Sequence, residues 1–152
     1  LIIQRIQTVY LAIAVIMFVF CCSMPLAEFE PQAMGASSTM YSLMLLDGDG
    51  SAKSFLPVAV FAVTVMAELV TIAALLGYRN RRAQIKLCSW AIALDLIWIA
   101  VFAAVVCTLK GESRVHQSFA SSLPLIALVL TWLARRAVKK DEELVRSADR
   151  IR

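Results

Sequence analysis

Apolar positions in this chain fall in four long stretches, with the charged positions confined between them. No charge falls between Arg5 and Glu28. The stretch between Lys53 and Arg79 holds one, Glu68, and that between Lys86 and Lys110 holds one, Asp95. The stretch between Arg114 and Arg135 holds none, with His116 taken as neutral. A bilayer-spanning helix needs about 20 mostly apolar residues at about 1.5 Å each, and every one of these gaps is long enough. In lipid the backbone must satisfy its own hydrogen bonds, so such stretches become helices. The pattern predicts an all-α membrane protein with four transmembrane helices near residues 6–27, 54–78, 86–109 and 117–137. Residues 1–137 then form a transmembrane domain with an outer loop at 28–53. Residues 138–152 form a cytoplasmic tail.

Capping residues set the expected helix starts. Ser54 is placed to cap the second helix, with Pro57 in its first turn. Ser121 or Ser122 is placed to cap the fourth, with Pro124 following. Arg135 lies only about 20 Å of helix beyond Ser122. The fourth helix is therefore expected to start earlier, near His116. The alternative is that Arg135 and Arg136 extend to the interface from inside the span. In the outer loop, Ser38 to Leu46 is β-compatible and is expected to form a short strand pairing within 28–53. The first apolar stretch is long for a signal peptide and lacks a clean small-x-small cleavage site, so it is read as a permanent helix. Cys21 and Cys22 do not follow the small residue that a lipoprotein site wants. The chain opens Leu1-Ile2 without a methionine, and a first residue is expected to precede it.

Composition agrees with the pattern. Apolar residues make up 61% and charged residues 17%, with a mean hydropathy of +0.77. A soluble domain is typically about 45–50% apolar and 25% charged. That excludes a disordered chain and argues against a water-soluble enzyme. The net charge of +4 acts as an orientation signal. Arg5, the link carrying Arg79, Arg81, Arg82 and Lys86, and the tail from Arg135 to Arg152 hold most of the Lys and Arg residues. The positive-inside rule puts these three segments in the cytoplasm, with both termini inside. No nucleic-acid partner is expected from the basic balance. Tyr10, Tyr78, Trp90 and Trp132 each fall near a cytoplasmic helix end, where aromatics favour the interface. Trp98 is the exception and reads as a packing residue.

Four blocks of sequence carry a resemblance. They are Ile3-Gln4-Arg5-Ile6-Gln7-Thr8-Val9-Tyr10-Leu11, Met24-Pro25-Leu26-Ala27-Glu28-Phe29, Asn80-Arg81-Arg82-Ala83-Gln84-Ile85-Lys86-Leu87-Cys88, and the tail from Ala134 through Lys139-Lys140-Asp141-Glu142-Glu143 to Arg152. Together they resemble an uncharacterised family of four-helix inner-membrane proteins of Bacteroidetes, a domain of unknown function. The resemblance implies a bacterial inner membrane and brings no activity with it.

The costliest residues are Glu68 and Asp95. An acid at the centre of a spanning helix costs about 2.5–3.5 kcal/mol on insertion scales. Counting residues from Arg79 and Lys86 puts both roughly 13–17 Å from the cytoplasmic boundary. Thr64 and Thr71 share the face of Glu68. One reading is a proton or cation site between helices two and three. The other is a hydrogen-bonded acid pair that fixes packing or meets a polar group on a partner subunit. The structural reading is preferred, because four helices leave little room for a path unless the protein oligomerises.

Other candidates are weaker. The four cysteines and single histidine show no metal-ligand spacing, so no metal or cofactor is expected. His116 reads as an interfacial polar residue. Asp47-Gly48-Asp49-Gly50 resembles the start of a calcium loop but lacks its later ligands, and is expected to be a turn. No Ser-His-Asp order, phosphate loop or dinucleotide fingerprint is present.

The tail from Ala134 contains no Pro or Gly and is expected to continue as a helix. Ala137, Leu144 and Ile151 recur at seven, with Val138, Val145 and Ala148 alongside them. Glu142–Arg146 and Arg146–Asp149 are favourable spacings for ion pairs. Arg135, Arg136, Lys139 and Lys140 suit an anionic inner-leaflet surface. Leu144, Val145, Ala148 and Ile151 are then the expected contact with a membrane-protein partner or a second copy of the chain. The functional expectation is a non-enzymatic inner-membrane protein, an accessory or scaffold subunit of a larger assembly. The alternative is a small oligomeric transporter or channel using Glu68 and Asp95.

Overall fold

A computed structural model describes residues 2–150. Four helices, α1 (Ile2–Ser23), α2 (Val58–Leu76), α3 (Arg81–Lys110) and α4 (Leu123–Asp149), form an up-down-up-down bundle. Each packs on its two neighbours in the ring α1-α2-α3-α4, the α1–α4 pairing being the most extensive. All four are long and apolar enough to cross a membrane.

Small residues take much of the helix-facing interior: Ala14, Ala67, Ala74, Ala91, Ala127 and Ala134 are all fully buried, beside the larger Leu11, Phe18 and Trp98. Large apolar side chains such as Ile16, Phe20, Met66, Leu69, Leu96, Ile97, Leu125 and Val129 point outward. Lipid tails are as apolar as Leu, so burying Leu yields little in a bilayer. Close backbone approach over small residues yields more.

Strands β1 (Ala27–Glu30), β2 (Ser38–Met40), β3 (Leu45–Leu46), β4 (Ala52–Ser54) and β5 (Arg114–Gln117) form one antiparallel sheet in the order β4-β3-β2-β1-β5. It caps the end of the bundle opposite the chain termini. Ala27, Phe29, Met40 and Leu45 turn inward onto Trp98, Phe102, Val105 and Leu123. A buried bond ties the sheet to the bundle, with the Ser42 hydroxyl donating to the carbonyl of Cys21 at 3.2 Å.

The expected strand within Ser38–Leu46 is thus two strands, and β1 and β4 lie in the same loop. The β5 strand arises elsewhere, in the link before the fourth helix and at His116–Gln117, where that helix is expected to begin. It pairs with β1 through Ala27↔Gln117, Glu28↔His116, Phe29↔Val115 and Glu30↔Arg114. The fourth helix therefore does not start near 117. A short 3-10 turn at Phe119–Ser122 follows β5, and α4 starts at Leu123 with Pro124 in its first turn. Arg135 and Arg136 accordingly lie well inside the helix, the alternative considered above. Ser122 spends its hydroxyl on the Phe119 carbonyl and does not cap α4.

Other ends shift for similar reasons. The first helix stops at Ser23, because Ala27 already belongs to β1. The second starts at Val58, since Ser54 is in β4 and its hydroxyl accepts from the Leu56 N–H. The third starts at Arg81 because Asn80 caps it, its side chain accepting from the Ala83 N–H at 3.2 Å. α4 runs without a break through residue 137 to Asp149.

The Asp47–Ser51 segment is the β3–β4 hairpin turn. The Asp49 carboxylate accepts from the Ser51 N–H at 2.9 Å and the Ser51 hydroxyl at 2.6 Å. Asp47 accepts from the Ser38 hydroxyl at 3.0 Å. Gly50 has φ +82°, the left-handed region that glycine tolerates. A Cβ at Gly48 would lie 2.5 Å from the Cβ of Ala36, so the turn needs glycine there to pass the neighbouring loop.

Candidate functional site

Two polar features remain once the bundle is packed. The first is a buried layer at mid-height. Thr64 and Thr71 on α2, Asp95 and Trp98 on α3, and Thr131 on α4 are all sealed from the surface. Their spacings explain this. Positions 64, 67, 71 and 74 on α2, and 127, 131, 134 and 138 on α4, follow the helical period and form the buried faces.

Register follows from two contacts. Trp98 bonds Thr64, and Cys88 clusters with Ala74. The antiparallel α2–α3 pair then sets Asp95 level with Ala67, between Thr64 and Thr71. On the α4 side, Cys88 clusters with Ala134, and Leu94 packs against the cluster that holds Ala127, which sets Asp95 about one turn from Thr131.

Every donor identified in this layer is committed. Thr64, Thr71 and Thr131 each donate to the carbonyl four residues earlier, at 2.8 Å. The indole N–H of Trp98 donates to the Thr64 hydroxyl oxygen, also at 2.8 Å. Both carboxyl oxygens of Asp95 are buried without a hydrogen-bond partner among the described residues. With their protons committed, the threonine hydroxyls offer the layer only acceptor lone pairs. Such a layer can receive a proton or a small cation, or simply hold helices in register.

Glu68 stands apart from this layer. It is half-buried, between buried Ala67 and exposed Leu69, on the flank of the α2 face that carries Thr64 and Thr71. The register therefore sets Asp95 between the levels of Thr64 and Thr71 and a turn from Thr131, and leaves Glu68 to one side. Sequence reasoning did not reach Thr131 or the Trp98 donor as site residues. The period of α4 could have found Thr131, since it lies four residues after Ala127 and three before Ala134.

The second feature is the basic end of the bundle. Arg81 pairs with Asp141 at 3.1 Å, and Arg82 pairs with Glu142 at 3.3 Å. Arg135 donates to the Ser89 hydroxyl at 2.8 Å, and Arg136 stacks over Trp132 at 5.6 Å. Lys139 and Lys140 are exposed. Glu142 is engaged by Arg82 across the bundle rather than by Arg146 along its own helix. Past this brace, Leu144 is 51% exposed and Val145 40% exposed, with Ala148 exposed beside them. Ile151 lies outside the described residues.

At the sheet end, His116 lies 3.3 Å from Glu30 across the β1–β5 pair, both side chains being exposed. All four cysteines are free.

Four helices long and apolar enough to cross a membrane, with many large apolar side chains facing out, fit a multi-pass membrane protein. The chain belongs to the family described as a domain of unknown function (DUF4293), which matches residues 3–151. No curated protein matches it.

Proposed function

We propose that this protein is a non-enzymatic, multi-pass inner-membrane protein with both termini in the cytoplasm, serving as an accessory or scaffold subunit of a larger membrane assembly. The observation that carries this reading is the brace at the basic end. Two ion pairs, Arg81–Asp141 and Arg82–Glu142, hold the last helix in one direction as it leaves the bundle. A tail that only fixed topology would need its cations and nothing more. Here two of its acids are spent on holding the helix, and the apolar pair Leu144 and Val145 lies exposed just beyond them. The proposed occupant of that stripe is a helix of a second membrane protein in the assembly.

Crosslinking followed by purification from native membranes tests this. A reproducible partner captured by the full chain, and lost with Leu144→Asp/Val145→Asp, supports the reading. A monomer without a reproducible partner overturns it.

A second reading is favoured by the unpartnered carboxyl of Asp95. A small transporter would use that group as its proton or cation site. Because Asp95 is sealed within one chain, the path would have to open by helix movement or oligomerisation. Reconstituted vesicles showing no flux of protons, cations or small solutes under any gradient would remove it.

A further inference from the structure

A cleft of about 540 Å³ opens where α2 hands over to α3, lined by Tyr78, Arg79, Asn80, Arg81, Arg82 and Glu142. Its lining carries three guanidinium groups and one carboxylate. The carboxylate, Glu142, is already held by Arg82. Arg81 is occupied by Asp141. Arg79 is exposed, and its side chain makes no ion pair or hydrogen bond among the described residues. The cleft thus has an uncompensated cation with a forked donor set, which suits a phosphate oxygen pair better than a point charge would. The positive end of the α3 dipole adds to the same field.

What lies next to the cleft identifies the kind of anion. Ala62, Met66, Leu69, Ala73 and Leu76 are exposed at spacings of four, three, four and three, a single outward stripe along α2. The stripe runs to Leu76, 70% exposed, and stops short of Tyr78, which lines the cleft. An apolar track leading into a guanidinium cleft is complementary to an amphiphile, with acyl chain on the track and phosphate at the arginines. A soluble phosphate would use the cleft and leave the track without a role.

We infer that this cleft binds the phosphate headgroup of an anionic phospholipid, with Arg79 as the principal contact and the α2 stripe as the seat of its acyl chain. The inference uses the membrane reading of the helices and does not depend on what the distal tail binds.

The test uses the full chain purified in a neutral detergent, with lipid binding followed by native mass spectrometry. Phosphatidylglycerol is expected to bind and phosphatidylcholine to be retained far less. Arg79→Glu should weaken phosphatidylglycerol binding by roughly 30-fold, as expected for two units of charge near a membrane surface. Lys110→Glu makes the same charge change on α3 at the sheet end of the bundle, away from the cleft, and should alter binding by no more than about twofold if the site is local. Because Arg79 holds no structural contact, the variant is expected to fold, and its thermal melt checks this. Arg79→Gln replaces it if the melt fails.

Equal weakening by both charge reversals would overturn the inference, because it would mean diffuse surface attraction. Glycerol phosphate binding as tightly as phosphatidylglycerol would overturn the assignment to a lipid and leave a soluble phosphate as the ligand. Neither result bears on co-purification of a protein partner, so the two proposals fail separately.

Discussion

The indole N–H of Trp98 on α3 donates to the hydroxyl of Thr64 on α2 at 2.8 Å, and both side chains are sealed inside the bundle. Thr64 in turn donates to the carbonyl of Val60, so its hydroxyl is used in both directions. Trp98 also stacks on Phe102, with ring centroids 5.0 Å apart. This one residue therefore links the α2–α3 register to the cluster beneath the sheet. A double-mutant cycle of Thr64→Val and Trp98→Phe should give a coupling of about 0.6 kcal/mol, the usual size for hydrogen bonds between spanning helices. Thr64→Val alone should cost more than that, about 1–3 kcal/mol, because it strands a buried N–H. Unfolding measured in mixed micelles decides. Strict additivity of the two changes would mean the bond adds nothing.

Asp95 predicts an asymmetry between substitutions. Asp95→Asn keeps the shape and adds donors to a lining of acceptors, so the variant should accumulate and melt close to the parent. Asp95→Lys puts a long cation in a sealed layer with no acid partner beside it among the described residues, and should sharply reduce insertion and yield. A Lys variant accumulating like the parent would mean that position 95 is not sealed in the membrane.

The tail prediction separates brace from docking stripe. Truncation after Lys140 removes Asp141 and Glu142 together with the stripe. Leu144→Asp/Val145→Asp leaves both ion pairs in place. Topology should survive both changes, since the proximal cations remain, and partner co-purification should be lost in both. Retention of the partner in both would show that the distal helix is not a docking element.

Topology is open to direct labelling. A cysteine at Ser51, in the exposed β3–β4 turn, should react with an impermeant reagent in intact spheroplasts. One at Asn80 should react only after lysis. The reverse pattern would overturn the orientation.

The β3–β4 turn has its own pH dependence. Bonds from the Ser51 side chain and backbone hold the Asp49 carboxyl below the ordinary aspartate value of 3.8. A depressed folded-state value stabilises the turn above the unfolded value. The contribution is lost as pH falls through the lower folded value. Acidification below the ordinary carboxylate range should therefore loosen residues 47–51. Ser51→Ala should raise the Asp49 midpoint towards the ordinary value, readable by NMR titration of the side-chain carbonyl.

Much of the architecture is legible along the chain. Four gaps in the charge pattern locate four helices, because a spanning segment must be apolar whatever its neighbours are. The tail helix is legible too, because nothing in it breaks a helix. What lies beyond local reading is every feature that depends on distant partners. Residues 114–117 become β5 only because β1, far earlier in the chain, offers them an edge. The same pairing displaces the start of α4 to Leu123. Thr64 and Thr71 share a helical face with Glu68 in the sequence pattern, yet the bundle turns that face so that Trp98 meets Thr64, with Asp95 in the same buried layer, while Glu68 falls to the flank. Arg81 and Arg82 read as topology signals in the sequence, but only packing brings them to the distant Asp141 and Glu142. Hydropathy is a property of a segment, and the sequence determined the helices for that reason. Which side of each helix meets which neighbour depends on how small residues let backbones approach, and the tertiary structure alone decided that.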